Sequence, residues 1–223
     1  MEEKRPSLSM AHDWEKILST VTPTPLSHNG LSRNEKITRI AHYMEQILIT
    51  LGLDLSDDSL KDSPKRIAKM YVDQLFTGLA AENFPQISVI ENKMNYDQMV
   101  IVKDIRVMSI CEHHFLPIHG VATVAYIPNK KVIGLSKINR IVDFFARRPQ
   151  VQERLTKQIA DCLEALLETK DVAVHVDARH YCVIARGIED SQSTTVTSDL
   201  RGSFKTVLHT RNEFLAVTHK KNF

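Results

Sequence analysis

The stretch GLSKINRIVDFFARRPQVQERLTKQIADCLEALL, residues 134–167, decides the fold. It holds two helical patterns in succession. The first begins at Ser136 and brings Ile138, Ile141, Val142 and Phe145 to one side. The second begins at Pro149 and does the same with Val151, Leu155, Ile159, Cys162 and Leu166. On either side the period changes to that of strands, with β-rich runs at 87–90, 99–110, 121–127 and 132–135 before the pair and at 172–176, 181–188 and 194–197 after it. Runs of strands flanking a helix pair predict an α+β fold rather than an alternating parallel sheet.

Further out the chain is helical. Ser32 and Glu35 form a capping box ahead of Ile37, Ile40, Ala41, Met44, Ile47, Leu48 and Leu51, and Gly52 ends that helix. Ser63-Pro64 opens another, which buries Ile67, Met70, Tyr71 and Leu75 and stops near Gly78. Before these, Trp14, Ile17 and Leu18 make a short amphipathic piece, followed by a Thr-Pro-Thr-Pro segment that cannot continue a helix. At the other end a last helix is expected, capped by Thr210 and Glu213. The chain therefore divides into an N-terminal arm (1–30), a helical region (31–85) and a larger domain (86–223).

With 223 residues the chain can bury a core without disulfides or a structural metal, so a metal here would serve chemistry. Its 29 Lys and Arg against 27 Asp and Glu leave a net charge of +2, too balanced to argue for nucleic acid or an anionic membrane. Met1 to Lys16 shows neither a signal peptide nor a membrane span, and three cysteines make no disulfide framework; both point to a cytoplasmic protein.

Two of the cysteines sit in ligand-like settings. Cys111-Glu-His113-His114 places a thiol within a turn of two imidazoles, and His180-Tyr-Cys182 would put an imidazole and a thiol on one face if it were a strand. Cys111, one of His113 and His114, and Cys182 would give zinc three protein ligands and leave a fourth place for water. His119 and His175 are rival ligands that spacing does not exclude. Cys162 lies on the apolar stripe of its helix and reads as core.

An anion site is suggested by Ser136 at a helix start, with Lys137 and Arg140 one turn apart, and by Arg186, Lys65 and Arg66 elsewhere; a solvated face is the competing explanation. Glu153 points away from the stripe of its helix with Lys157 four residues on, so an exposed ion pair would account for it unless that face meets another subunit.

Read together, Cys111-Glu-His-His-Phe, Tyr126-Ile-Pro, Gly134-Leu-Ser-Lys-Ile-Asn-Arg140, Arg148-Pro-Gln-Val-Gln-Glu-Arg-Leu155 and His180-Tyr-Cys-Val-Ile-Ala-Arg-Gly187 resemble the GTP cyclohydrolase I family. The similarity extends to Asp62-Ser-Pro-Lys-Arg-Ile-Ala-Lys-Met-Tyr71 and Thr210-Arg-Asn-Glu-Phe214. The resemblance implies a zinc-dependent hydrolase that converts GTP and water to formate and 7,8-dihydroneopterin triphosphate, the first step toward folates and pterins. It implies one zinc per subunit on Cys111, His114 and Cys182, and His113 and His180 as the acid–base pair, with Ser136 assisting the sugar steps. Glu153, beside Gln152, would anchor guanine. Ser136, Lys137, Arg140 and Arg186 would hold the triphosphate, with Arg66 from another subunit. The implied fold is a tunnelling fold, an antiparallel sheet with two packed helices, whose sheets join into a barrel in a homodecamer of two pentamers. Two departures from the family pattern are the arm before Gly30 and Arg201, which stands where glycine is usual.

Overall fold

The computed structural model describes residues 13–218, so the first twelve residues of the expected arm lie outside it. The helical region begins with α1 (Asp13–Thr20), α2 (Arg33–Thr50) and α3 (Ser63–Met70), the last running on through a π-helical turn over Tyr71–Leu75. The capping box at the start of α2 is present in full: Ser32 Oγ accepts from the Glu35 amide, and Glu35 Oε2 accepts from the Ser32 amide at 2.8 Å. Gly52 follows α2 with φ +83°, a left-handed conformation that glycine adopts without strain. Gly78, where this region ends, packs so tightly on the next layer that a Cβ would strike the carbonyl oxygens of Phe144 and Arg147.

Among the described residues, seven strands follow in two sheets. β1 (Val89–Glu91) pairs antiparallel with β4 (Lys131–Ile133), while β2 (Val100–Cys111), β3 (Pro117–Tyr126), β5 (Pro149–Gln150), β6 (Val172–His180) and β7 (Thr195–Leu200) form one sheet in the order β5-β2-β3-β6-β7. All neighbours in it are antiparallel except the two-residue β5, which runs parallel to the end of β2. α4 (Leu135–Ala146) and α5 (Gln152–Leu167) cover one face of the sheet; the short α6 (Tyr181–Ile184) and α7 (Ser203–Thr206) precede the final α8 (Leu208–Thr218). The α+β class is as expected.

The core forms where the two helical stripes meet the inward residues of the sheet. Ile138, Ile141, Phe145, Leu155, Ile159 and Cys162 are completely buried against Ile118, Ala122, Val124, Val174 and Val176. Each large aliphatic side chain so buried contributes about 1.5–3 kcal/mol. Burial drives the Cys162 thiol far up from its ordinary pKa, which keeps it an inert core residue. Gly120 lets β3 and β6 approach closely, since a Cβ there would meet the Asp177 carbonyl and Ala178. From the arm, Val21 is buried, and Trp14, Ile17 and Leu18 pack on the same core; the Thr22 amide and hydroxyl bind the Asp161 carboxylate of α5 at 2.8 and 2.7 Å.

Four sequence expectations are corrected. Residues 181–188 are not a strand: α6 turns the chain immediately after β6. Pro149 does not open a helix but forms β5, and α5 begins at Gln152. Gly134, not Ser136, is the N-cap of α4. Thr210 lies inside α8 instead of capping it.

Candidate metal centre and active site

The centre forms where two strand ends meet. β2 delivers Cys111, and a tight loop closes back to β3 through Cys111 N–H to the Leu116 carbonyl at 2.8 Å and Phe115 N–H to the Cys111 carbonyl at 2.9 Å. β6 ends beside the start of β3, with His180 in register with Ile118. The helical turn of α6 then brings Cys182 back toward Cys111, which an extended strand would not have done.

Cys111, His114 and Cys182 offer ligand atoms that all lie within 4.8 Å of one another. Ligands of a tetrahedral zinc, at about 2.0–2.3 Å from the ion, are roughly 3.5–3.8 Å apart. The three groups are therefore within about 1 Å of closing on an ion. The donor set is soft, as zinc prefers. Burial, followed by the adjacent Cys111 sulfur, holds the Cys182 thiol above its ordinary pKa. Two neighbouring thiolates need a cation between them, so the residues fit the metal.

His113 and His114 differ in what they reach. Both place Nδ1 within 4.0 Å of the Cys111 sulfur, but only His114 joins the group with Cys182. His113 remains exposed, with Nε2 4.0 Å from Glu112. The rivals fall away because strand alternation sends His119 and His175 to the sheet face opposite α4 and α5, where His175 meets Ser198 at 2.9 Å.

The other candidates separate into two groups. Arg186 stands at the centre, Nη1 2.8 Å from His114 Nε2. His180 and Glu153 are also there: burial pushes the His180 imidazole below its ordinary pKa, and the Glu153 carboxylate opposes that shift. Ser136 and Lys137 are at the far end of the sheet, because the α4 N-terminus follows Ile133, whose amide bonds Tyr126 Oη. From Ile118 to Tyr126 an antiparallel strand covers roughly 27 Å. Lys137 Nζ donates to the Gln86 carbonyl, and Arg140 lines a separate cavity of about 460 Å³ with Arg106, Asn139, Asp143 and Arg147. Arg66 is exposed on α3, 3.6 Å from Asp62.

A family model for GTP cyclohydrolase I matches residues 40–219. The chain belongs to the GTP cyclohydrolase I family. Among its relatives, a protein from Shewanella loihica named GTP cyclohydrolase 1 is 61% identical over 200 residues, covering 90% of this chain and 94% of its own. One of the same name from Yersinia enterocolitica is 59% identical over 206 residues, covering 92% and 94%.

Several residues at this GTP cyclohydrolase I site have roles that spacing alone did not suggest. Glu112, between two metal-centre residues, makes a bidentate ion pair with Arg154 of α5 at 2.6 and 3.1 Å, and Arg154 holds its carboxyl below the usual range. That pair ties the metal loop to the helix that carries Glu153. Phe115, at φ +54°, packs edge-on against Tyr71 and Phe76 and links the loop to the helical region. Gln152 is only 1% exposed, and its amide bonds inside the fold. The alternation of a charged residue between ligands was the available signal for Glu112; nothing local marked Gln152.

Proposed function

We propose that this chain is a zinc-dependent hydrolase that converts GTP and water to formate and 7,8-dihydroneopterin triphosphate. The observation that carries the proposal is the convergence of Cys111, His114 and Cys182 beside His180 and Glu153 in a member of the GTP cyclohydrolase I family. Cys111, His114 and Cys182 would hold one zinc ion per subunit, and it would supply a Lewis acid for activating water.

Around it the side chains bind and move protons. The Glu153 carboxylate accepts hydrogen bonds from the guanine ring N–H and amino group. Adenine, lacking the ring N–H, would leave that acceptor unpaired and be rejected. His180, driven toward its neutral form by burial, exchanges a proton with the imidazole-ring nitrogen of guanine, and His113 is its partner in the later transfers. Arg186 binds the triphosphate from the same side. Ser136, assisting the sugar steps, and Lys137 and Arg140 on the triphosphate complete the site from a second copy, with Arg66 from a further one. The roughly 27 Å along β3 supports that division.

The same division supports a tunnelling-fold oligomer of two pentamers. β7 is an edge strand with Val196 exposed, and on the side away from β3 the strand β2 has no partner from Val100 to Ser109 among the described residues. Open edges of this kind invite pairing between copies and closure into a barrel. No described helix is long and apolar enough to cross a membrane, and we place the enzyme in the cytoplasm.

The test is formate release from GTP by the zinc-loaded protein, measured with the fluorescence of the oxidised pterin product. Zinc content without formate release would reduce the chain to a nucleotide-binding zinc module.

A further inference from the structure

Gln152 has a side chain with every atom engaged. Its Nε2 lies 3.1 Å from the Val176 carbonyl, 2.7 Å from the Thr195 carbonyl and 3.2 Å from Thr197 Oγ1, while its Oε1 lies 2.8 Å from His180 Nε2. The oxygen and nitrogen of a glutamine amide can usually be exchanged to suit their neighbours. Here they cannot. Main-chain carbonyls only accept, so the amide nitrogen must face Val176 and Thr195, on β6 and β7. Exchanging the two would set an oxygen against both carbonyls around a side chain that is only 1% exposed, leaving acceptors facing acceptors.

A consequence follows for the imidazole opposite. Oε1 has no hydrogen to give, so the bond at 2.8 Å requires His180 Nε2 to be the donor. A neutral histidine carries one N–H; with Nε2 protonated, Nδ1 holds the free lone pair. We propose that Gln152 is a positioning residue that fixes His180 as its Nε2–H tautomer, making Nδ1 the atom through which His180 passes protons to and from substrate. When His180 acts as an acid, Nδ1–H gives its proton to the substrate nitrogen and the ring returns to neutral Nε2–H; as a base, Nδ1 takes a proton and the reverse holds. The bond to Gln152 is the same in both states, so the ring need not turn between steps. Two strands hold the amide that holds the ring.

The inference rests on the proposed acid–base role of His180, and the experiment separates the two. Histidine labelled with carbon-13 and nitrogen-15 is incorporated into the full zinc-loaded protein, and the His180 signals are identified by their loss in His180→Ala. Side-chain shifts at pH 8 distinguish Nε2–H, Nδ1–H and imidazolium forms. The wild type is expected to show Nε2–H. Gln152→Met, which keeps the length but offers no acceptor, is expected to show mixed tautomers and a kcat lower by roughly 100-fold, with KM for GTP changed less than about threefold. An Nδ1–H wild type beside an inactive His180→Ala would overturn the inference alone, as would an unchanged kcat in a zinc-replete Gln152→Met. Should Gln152→Met fail to fold, the wild-type spectrum decides by itself. Full turnover in His180→Ala would instead overturn the role of His180.

Discussion

Helix α5 is tied to polar clusters at two places, and they differ in how completely the protein itself satisfies them. Along its middle, Arg201 bonds Asp161 at 2.6 Å, Glu164 at 2.9 Å and Asp199 at 2.6 Å; Lys170 also pairs with Glu164, and Thr22 binds Asp161. Burial works against the Arg201 charge, yet the hydrogen bonds it donates to Asp199, Asp161 and Glu164 raise its pKa beyond the ordinary value. Asp161 and Glu164 are likewise partly buried and still titrate low, because Thr22, Lys170 and Arg201 favour their charged forms. At its N-terminal end the balance is reversed. Burial drives His180 toward neutrality, and burial with a neighbouring sulfur keeps Cys182 protonated. Where every charged form is favoured the cluster is complete and holds the fold. Where burial forces His180 and Cys182 toward neutrality, no comparable set of ion pairs closes around them among the described residues.

The strongest challenge to this contrast is to remove a ligand. Cys182→Ala is expected to fold but lose its zinc and all measurable formate release; full metal content by elemental analysis would break the assignment. Next, His113→Ala and His180→Ala should retain zinc and lose about 10²–10⁴-fold in turnover, the usual contribution of proton transfer. Zinc loss in either would move it from chemistry to coordination. Arg186→Ala should weaken GTP binding by about 1.5–3 kcal/mol while leaving guanosine binding unchanged, as expected for a charged hydrogen bond. Equal affinity of wild type and variant for GTP would return Arg186 to a structural role.

The closed cluster should respond in stability alone. Arg201→Met leaves three carboxylates without their shared cation and should cost about 2 kcal/mol, reduced by partial solvent access, with kcat unchanged in the folded fraction. The pKa values of Asp161 and Glu164 are lowered by folding, so the stability they add is complete above the ordinary carboxylate range and is lost as pH falls through the lowered values. The gap between wild type and Arg201→Met in urea unfolding should therefore narrow below about pH 4. A constant gap from pH 7 to pH 3 would show that Arg201 acts by packing.

What could be read from the sequence was what neighbouring residues decide. The capping box at Ser32 and Glu35, and the stripes of α4 and α5, depend on spacings of three and four, and they appear as expected. The errors lie where distant groups overrule local preference. Residues 181–188 carry Val183, Ile184 and Ile188 and look like a strand, but Cys182 has to return toward Cys111 and the chain turns to bring it there. Pro149 looks like a helix start, but it lies in register with Ile110 at the end of β2. Spacing marked Cys111, Cys182 and a histidine as candidate ligands but left His113, His114, His119 and His175 open; the family resemblance supplied the set that the structure brings together. Gln152 was not, since its partners on β6 and β7 are 24 to 45 residues away. Arg201, a departure without explanation in the sequence, acquires one from its three carboxylates.

The distance between the two ends of β3 has a genetic meaning. If one copy contributes the metal and its neighbour contributes Ser136, Lys137 and Arg140, a lesion at one end and a lesion at the other damage different halves of every site. Two inactive versions of the gene product, Cys182→Ala and Arg140→Ala, would then rescue each other when expressed together. With random assembly of equal amounts, about a quarter of the interfaces would pair an intact metal half with an intact phosphate half. Activity near that level in mixtures of two dead variants would show that the unit of function is the seam between copies, and that a mutation's severity in this protein depends on which half its partner carries.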